Sequence, residues 1–140
     1  MTTPRVLFVC VSNRGKSVMA QGLSNKIAGT AITATSAGTD AAVGREVNTL
    51  SARSLAEVDV NVETHQPRQL TDELMRSADL IVVLGTSAKV VAPPGVAVEI
   101  WETDEPSSRG IDGLERMRLI RDDIAERVTD LVARLTNSDG

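Results

Sequence analysis

The sequence predicts a single α/β domain over residues 1–140: a doubly wound sheet of about four parallel strands with helices on both faces. Three observations favour this fold class. Short apolar runs alternate with segments of helical periodicity, the run 5–11 is apolar almost throughout, and no repeat or low-complexity linker divides the chain. A continuously apolar strand is typical of a parallel sheet that is covered on both faces.

The first strand is predicted over 5–11 and the first helix over 17–27. Apolar residues recur four apart on one face of this helix, at Met19, Leu23 and Ile27. Ser17 is a suitable N-cap residue, and Gly29 follows the last apolar position, where a glycine commonly ends a helix.

The middle of the chain predicts one strand and two helices. Residues 31–35 are rich in β-branched side chains and predict a strand, which leads into 36–39, a segment with the composition of a turn. A helix is predicted over 48–58. Thr71 is expected to cap a short helix whose first turn carries two carboxylates, which favour the positive end of the helix dipole.

The last third predicts two strands and a long helix. The apolar run 80–84 ends at Gly85, and 97–101 forms the final strand. The helix is expected to begin at about Asp112. Its apolar positions, spaced three and four apart, are Met117, Ile120, Ile124, Val128, Leu131 and Leu135.

Composition excludes several function classes. The net charge is −4 and no basic run occurs, which argues against nucleic acid or an anionic membrane as the main partner. The apolar run near the N-terminus is too short for a signal peptide or a membrane span, so a cytoplasmic location is expected. One cysteine and one histidine leave no disulfide, no CxxC pair and no zinc-ligand cluster, so no metal is expected.

The lone cysteine, Cys10, is the strongest functional signal. It follows an apolar strand and precedes a loop and a helix, where main-chain N–H groups and the helix dipole stabilise both a thiolate and a bound oxyanion. Ser17 is placed to donate a hydrogen bond to the sulfur, and Asn13 to hold an unusual backbone turn. The predicted oxyanion-binding residues are Val11, Ser12, Asn13, Arg14, Gly15 and Lys16, with Lys16 or Arg14 supplying full positive charge.

Attack on a bound phosphorus or arsenic centre also needs an acid that protonates the leaving oxygen. Asp104 and Glu105 follow the last strand, and Pro106 restricts Glu105 to extended conformations that would aim its side chain. The sequence leaves the choice between these two carboxylates open.

Simpler interpretations compete with each of these signals. A lone cysteine is usually a small buried apolar residue, and Asp104 and Glu105 would by default be a solvated turn. Residues 10–17 also match a nucleotide-binding P-loop except at its first glycine, although no apolar strand ends in an aspartate that would help to hold Mg²⁺. His65 is expected in a loop or on the surface, and Trp101 in the core. The solvated face of the long helix is expected to contain Arg118, Arg121, Asp122 and Asp123.

Taken together, these segments resemble the low-molecular-weight protein tyrosine phosphatase superfamily over nearly the whole chain. Residues 9–17 are similar to its nucleophile loop, 36–39 to the turn after its second strand, and 101–106 to its acid loop. Met19-Ala20, Arg68-Gln69-Leu70 and the stretch from Trp101 to Pro106 look more like its arsenate reductase branch. The resemblance implies that Cys10 is the nucleophile, that Asn13 and Ser17 support it, and that a carboxylate of the acid loop aids proton transfer.

The sequence departs from that pattern at three places. Lys16 stands where the family usually has arginine, which removes a planar, two-pronged grip on the oxyanion. Glu105 stands before Pro106 where the family has aspartate. The stretch 85–89, where thioredoxin-coupled arsenate reductases carry two further cysteines, contains none.

These departures lead to a hypothesis with two alternatives. The chain is expected to be an arsenate reductase with no bound cofactor, in which an external thiol takes up the arsenic because no second protein cysteine exists. The resemblance points to mycothiol and a mycoredoxin, with glutathione and a glutaredoxin less favoured. The alternatives are hydrolysis of aryl phosphates through a cysteinyl-phosphate, for which two aromatic residues give little substrate platform, and a non-catalytic oxyanion-binding module.

Overall fold

The computed structural model describes residues 3–137 and contains one sheet of four strands. The strands are β1 (Arg5–Cys10), β2 (Thr33–Gly38), β3 (Leu80–Leu84) and β4 (Ala97–Trp101), in the spatial order β2-β1-β3-β4. Each neighbouring pair is parallel. The predicted parallel α/β sheet is therefore confirmed.

Helices cover the two faces of the sheet unequally. The helices are α1 (Lys16–Ala28), α2 (Thr49–Ala56), α3 (Asp72–Arg76) and α4 (Gly113–Thr136), and a 3₁₀ turn covers Pro106–Arg109. Helices α1, α2 and α4 pack together on one face, whereas among residues 3–137 the other face is covered by α3, the residues that flank it and the connection 85–96. Within 3–137, no helix is long and apolar enough to cross a bilayer.

The alternation of side chains along β1 divides the core in two. Phe8 and Cys10 point toward α1, α2 and α4, and Leu7 and Val9 point toward α3. All four are buried because the strand is central and covered on both faces, as its apolar run predicts. The side chain of Cys10 therefore lies on the face of the sheet that carries α1.

Helix boundaries confirm most of the predicted caps and correct one. Gly29 ends α1 in a positive-φ conformation, and the Thr71 hydroxyl accepts a hydrogen bond from the Leu74 N–H at 3.1 Å. Ser17 is not the N-cap of α1. The helix begins at Lys16 after Gly15, and no side chain caps it, because the Ser17 hydroxyl is turned inward toward Cys10.

The second strand begins two residues later and ends three residues later than the predicted range 31–35, because it covers Thr33–Gly38. It pairs with β1 from Arg5 opposite Thr33 to Cys10 opposite Gly38. Hydrogen bonding to a central strand thus outweighs the turn composition of 36–39. As a result, β2 ends level with Cys10.

The strand order sets where a ligand site is expected. The chain leaves β1 toward β2 on one side and returns to β3 on the other, so the connections diverge between β1 and β3. Ligands of open parallel sheets bind at the carboxyl ends of the strands at such a point. Cys10 and Leu84 are the last residues of these two strands.

Gly38 brings the end of β2 into close contact with the loop that follows Cys10. A Cβ atom on Gly38 would lie 2.5 Å from the Val11 carbonyl oxygen and 3.0 Å from the Asn13 nitrogen. Both are main-chain atoms that cannot rotate away. The loop can approach β2 this closely only because residue 38 has no side chain.

We predict that Gly38→Ala displaces the loop and weakens binding of inorganic phosphate about tenfold or more, with a loss of about 1–3 kcal/mol in the free energy of unfolding. Gly22→Ala is the matched control, because its added methyl group meets only the Val60 and Val62 side chains, at 2.8 and 3.3 Å. Calorimetric titration with phosphate and denaturant unfolding measure the two effects. Phosphate affinity unchanged in Gly38→Ala would contradict the role assigned to β2.

Candidate active site

Every carbonyl group from Cys10 to Gly15 accepts a hydrogen bond. The carbonyl oxygens of residues 10, 11, 12, 14 and 15 accept hydrogen bonds, in this order, from the main-chain N–H groups of Thr39, Asp40, Ala42, Asn48 and Met19, at 2.8–3.0 Å. The Asn13 carbonyl oxygen accepts from the ring of His65 at 3.0 Å.

The N–H groups of the same loop are free for a ligand. In the part of the chain that the structure describes, no protein acceptor bonds the N–H groups of Val11, Ser12, Arg14, Gly15 or Lys16. The N–H of Asn13 donates to the Cys10 sulfur at 3.3 Å. A turn of uncompensated N–H groups at the start of a helix is a site for an anion with several oxygens.

The Cys10 sulfur receives two hydrogen bonds at the base of this cup. Ser17 Oγ lies 2.9 Å from Cys10 Sγ, and the Asn13 amide Nδ2 donates to Ser17 Oγ at 2.8 Å. Because Ser17 accepts from Asn13, its own proton is available to the sulfur. These contacts stabilise a negatively charged sulfur, while Cys10 keeps 8% of its surface exposed on the cavity.

Asn13 holds the backbone turn of the loop. It has φ of 59° and is completely buried, in the left-handed region that asparagine tolerates better than most residues. Its amide nitrogen bonds the hydroxyls of Ser17 and Ser36, and its Oδ1 accepts from the Arg68 N–H at 3.0 Å. The side chain therefore ties the loop to α1, β2 and the segment before α3, as expected for a residue that fixes an unusual turn.

His65 and Arg68 support the loop, and sequence reasoning did not identify His65. His65 is half-buried and its Nε2 lies 3.0 Å from the Asn13 carbonyl oxygen. Burial lowers the pKa of His65, opposed by that hydrogen bond and assisted by the charge of Arg68. Because a carbonyl oxygen can only accept, the His65 ring donates its Nε2 proton to the Asn13 carbonyl. Arg68 reaches the Ser36 carbonyl at 2.8 Å.

A cavity of about 470 Å³ opens above Cys10. It is lined on one side by the loop and on the other by residues that follow β3 and β4. The lining residues are Cys10, Val11, Ser12, Gly15, Lys16, Leu84, Gly85, Thr86, Ser87, Glu102, Thr103 and Glu105. Phe8 and Trp101 are buried beneath this surface, with ring centroids 5.9 Å apart, and Trp101 is a core residue as predicted.

The structure separates the two acid-loop carboxylates that the sequence leaves unresolved. Glu105 lines the cavity, and its Oε1 lies 3.7 Å from Lys16 Nζ. Asp104 instead forms a two-pronged ion pair with Arg109, at 2.9 and 3.0 Å. The Arg109 hydrogen bonds hold the pKa of Asp104 below its usual value.

Glu105 lies between two cations. Arg116 on α4 contacts its carboxylate at 3.0 Å, opposite Lys16, and the Ser107 hydroxyl donates to it at 2.9 Å. Partial burial raises the pKa of Glu105, but the Ser107 hydrogen bond and the charges of Arg116 and Lys16 outweigh it, so the net pKa is lowered. Arg14 is directed elsewhere, because its Nε donates to the Glu46 carbonyl at 2.6 Å.

The predicted solvated face of the long helix is only partly solvated. Asp122 is exposed, but the Arg121 side chain is 11% exposed and bonds the Ser54 carbonyl and Glu57. Hydrogen bonds and charge from Arg118, with a contribution from Arg121, lower the pKa of Glu57 to about 2. Asp123 was also misassigned, because it accepts a hydrogen bond from the Asp104 N–H at 2.7 Å.

No group of three or more metal-ligating side chains occurs within residues 3–137. The described part of the site consists of the Cys10 sulfur, an anion cup, one lysine and one cavity-facing carboxylate. These groups can serve attack by a sulfur on a tetrahedral oxyanion, with proton transfer to the departing oxygen.

Comparisons with known proteins agree with this arrangement. Arsenate reductase 2 of Staphylococcus saprophyticus is 28% identical over 131 residues, which cover 91% of this chain and 95% of that protein. The structure of an arsenate reductase from Archaeoglobus fulgidus is 35% identical, with a TM-score of 0.74 and coverage of 91% and 98% of the two chains.

A third relative is the thioredoxin-dependent arsenate reductase Cg_ArsC1' of Corynebacterium glutamicum. Its structure gives a TM-score of 0.80 at 29% identity. The match covers 97% of this chain but 63% of that protein, so the chain spans less than two thirds of its length.

The family model described as low molecular weight phosphotyrosine protein phosphatase matches residues 5–139. This match includes every strand and helix of the structure and the whole site around Cys10. The chain therefore belongs to the low-molecular-weight phosphotyrosine protein phosphatase family, and its relatives there include arsenate reductases.

Proposed function

We propose that this protein is an arsenate reductase that transfers arsenate to an external low-molecular-weight thiol. The observation that carries this proposal is that the only cysteine of the sequence is the one at the base of the anion cup. A second protein thiol is therefore not available to complete the reduction. The arsenate reductases among the relatives support arsenate as the substrate.

The proposed reaction has two chemical stages. Arsenate binds in the N–H cup and the Cys10 thiolate attacks arsenic, so that an S–As bond forms and one oxygen leaves as water after protonation. The external thiolate then displaces Cys10 from arsenic, which regenerates the Cys10 thiolate and releases an arsenate–thiol adduct. Arsenic remains As(V) throughout this stage.

The reduction takes place on the adduct. A redoxin thiolate attacks the sulfur of the adduct, forming a disulfide, and the electron pair of the S–As bond stays on arsenic. Arsenite, As(III), is the product. Two electrons pass from sulfur to arsenic, so no protein cofactor is required in this scheme.

We propose Glu105 as the acid that protonates the departing oxygen. Its position on the cavity wall beside Lys16 supports this role, whereas Asp104 is occupied by Arg109. In this scheme the Lys16 ammonium group neutralises charge on the bound arsenate. It acts as a point charge and lacks the two parallel N–H donors of an arginine guanidinium.

The cavity wall favours mycothiol over glutathione as the external thiol. Thr86 and Ser87 contribute hydroxyls, Glu102 and Glu105 contribute carboxylates, and Lys16 is the one cation among the lining residues. Such a surface suits mycothiol, a sugar-linked thiol without a carboxylate. Glutathione carries two carboxylates that would face Glu102 and Glu105, so glutathione with a glutaredoxin is the less favoured pair and a mycoredoxin the favoured reductant.

Hydrolysis of aryl phosphates is the second candidate, because the family model is that of a phosphotyrosine phosphatase. The same cup, Cys10 and acid would serve both reactions. None of the cavity-lining residues within 3–137 is aromatic, which leaves a phenol ring without a stacking surface. The third candidate is a non-catalytic oxyanion-binding module, which would bind an anion in the same cup but catalyse no reaction.

We expect Cys10→Ser to abolish arsenite formation from arsenate, mycothiol and mycoredoxin while inorganic phosphate still binds and the unfolding temperature is retained. The hydroxyl is a far weaker nucleophile than the thiolate, but the N–H groups of the cup remain. Parallel assays replace the thiol system with glutathione and glutaredoxin, or arsenate with an aryl phosphate alone. Turnover by Cys10→Ser, or efficient thiol-independent hydrolysis by the wild type, would overturn the proposal.

A pair of arginine variants tests which carboxylate is the acid. A general acid must be protonated, so activity falls as the pH rises through its pKa. Arg116→Gln removes a cation that lowers the pKa of Glu105, and we expect the basic limb of kcat/KM to move to higher pH. Arg109→Gln removes the corresponding partner of Asp104 and should leave this limb in place.

The titration of arsenate itself is common to all three proteins and cancels in the comparison. If the basic limb of kcat/KM moves in Arg109→Gln but not in Arg116→Gln, Asp104 and not Glu105 is the general acid.

The charge of the cavity wall gives a further test. We expect Glu102→Gln to lower KM for glutathione about threefold, because a repulsive carboxylate is lost at an exposed site, and to leave KM for mycothiol unchanged. Glu126→Gln on the exposed side of α4 is the matched control. Equal changes in KM for glutathione and for mycothiol would contradict the proposal that the thiol binds against this wall of the cavity.

A further inference from the structure

The acid loop, residues 101–106, and strand β4 before it are connected to α4 by a regular series of contacts. Four residues of one α4 face take part, spaced seven, four and seven apart, which places them on one stripe of a helix. They are Arg116, Asp123, Arg127 and Arg134, and their respective partners are Glu105, Asp104, Glu102 and Glu99. The segment from Glu99 to Glu105 therefore runs antiparallel to α4, because its first residue contacts Arg134 and its last contacts Arg116.

Asp123 makes the central contact of this series. Its Oδ2 accepts the main-chain N–H of Asp104 at 2.7 Å, the residue immediately before Glu105. Arg127 lies 3.2 and 3.3 Å from the two Asp123 oxygens and donates to the Glu102 carbonyl at 2.8 Å. Asp123 and Arg127 therefore hold the main chain of the acid loop on both sides of Thr103. These contacts do not depend on the side chains of residues 104 and 105.

The charged groups around Asp123 support a structural role for this contact. Asp123 lies beside a loop that already carries three carboxylates, so its charge is unfavourable there unless it is compensated. Arg127 provides compensation, and the Asp123 side chain is only 24% exposed. A carboxylate kept in such surroundings bonds a main-chain N–H more strongly than a neutral acceptor would.

We propose that Asp123, together with Arg127, is a positioning residue that fixes the acid loop over the cavity and so sets the place of Glu105. The proposal rests on the proposed function in one respect, which is that Glu105 is the proton donor. Asp123 itself does not line the cavity. Its effect on the reaction passes through the backbone at Asp104.

The test separates positioning from a general contribution to stability. Asp123→Ala removes the acceptor and should lower kcat for arsenate about tenfold, because a small displacement of a catalytic group is costly, while KM changes less than about twofold. Asp123→Asn keeps an oxygen acceptor and should recover most of kcat. Asp122→Ala, on the neighbouring exposed residue, is the matched control and should behave as the wild type.

A double variant shows whether Asp123 acts through Glu105. In a Glu105→Gln background, Asp123→Ala should have no further effect on kcat, because the group that it positions is already inactive. Independent, multiplicative losses would overturn the proposal. Should Asp123→Ala not fold, Arg127→Gln replaces it in the same cycle with the same expected result.

A measurement without turnover keeps the two proposals distinguishable. Hydrogen exchange followed by NMR should show the Asp104 amide protected in the wild type and in Asp123→Asn, but exchanging rapidly in Asp123→Ala. If arsenate is not reduced with any thiol, the proposed function fails while this result still decides the positioning role. An Asp104 amide that stays protected in Asp123→Ala would overturn that role.

Discussion

The site depends on a constraint on main-chain hydrogen bonding. Six successive carbonyl groups, those of residues 10–15, are bonded from outside the loop by partners on four different segments. A peptide unit whose carbonyl is fixed outward has its N–H fixed in the opposite direction. The anion cup is therefore assembled by the surrounding fold and is complete before any ligand arrives, which lowers the cost of organising it during a reaction.

The rest of the architecture places groups around this cup. Residue 38 has no side chain, so β2 can approach the loop, and Asn13 accepts the left-handed turn that closes it. The strand order brings the end of β3 to the opposite side of the cavity, and α4 carries the contacts of the acid loop. Cys10 and the anion cup thus come from one continuous segment, residues 10–16, whereas the acid loop comes from a distant part of the chain.

Local signals explain what could be predicted from the sequence. The apolar run before Cys10, the residues 11–17 after it and the caps at Gly29 and Thr71 are contiguous features, and the fold class follows from their alternation. Ser17 was misassigned as an N-cap because its type suits both a cap and a hydrogen bond to sulfur. Only the packing of α1 against β1 decides between the two.

The remaining parts of the site depend on contacts between distant residues. His65 meets the loop 52 positions away from Asn13, and no local pattern marks that contact. Asp123 resembles any acidic residue on a helix surface until the acid loop is placed against it 19 positions away. The different surroundings of Asp104 and Glu105 likewise depend on Arg109 and Arg116, whose pairing no spacing in the acid loop reveals.

The unequal coverage of the sheet has a consequence for the two walls of the cavity. The cup wall is continuous with the core shared by α1, α2 and α4, whereas the wall at 84–87 continues into the connection 85–96, which covers its face with the help of one short helix. Sub-global opening requires least free energy where few apolar contacts must separate. Local opening is therefore expected at the second wall, so the entrance of the cavity can widen while the cup keeps its shape.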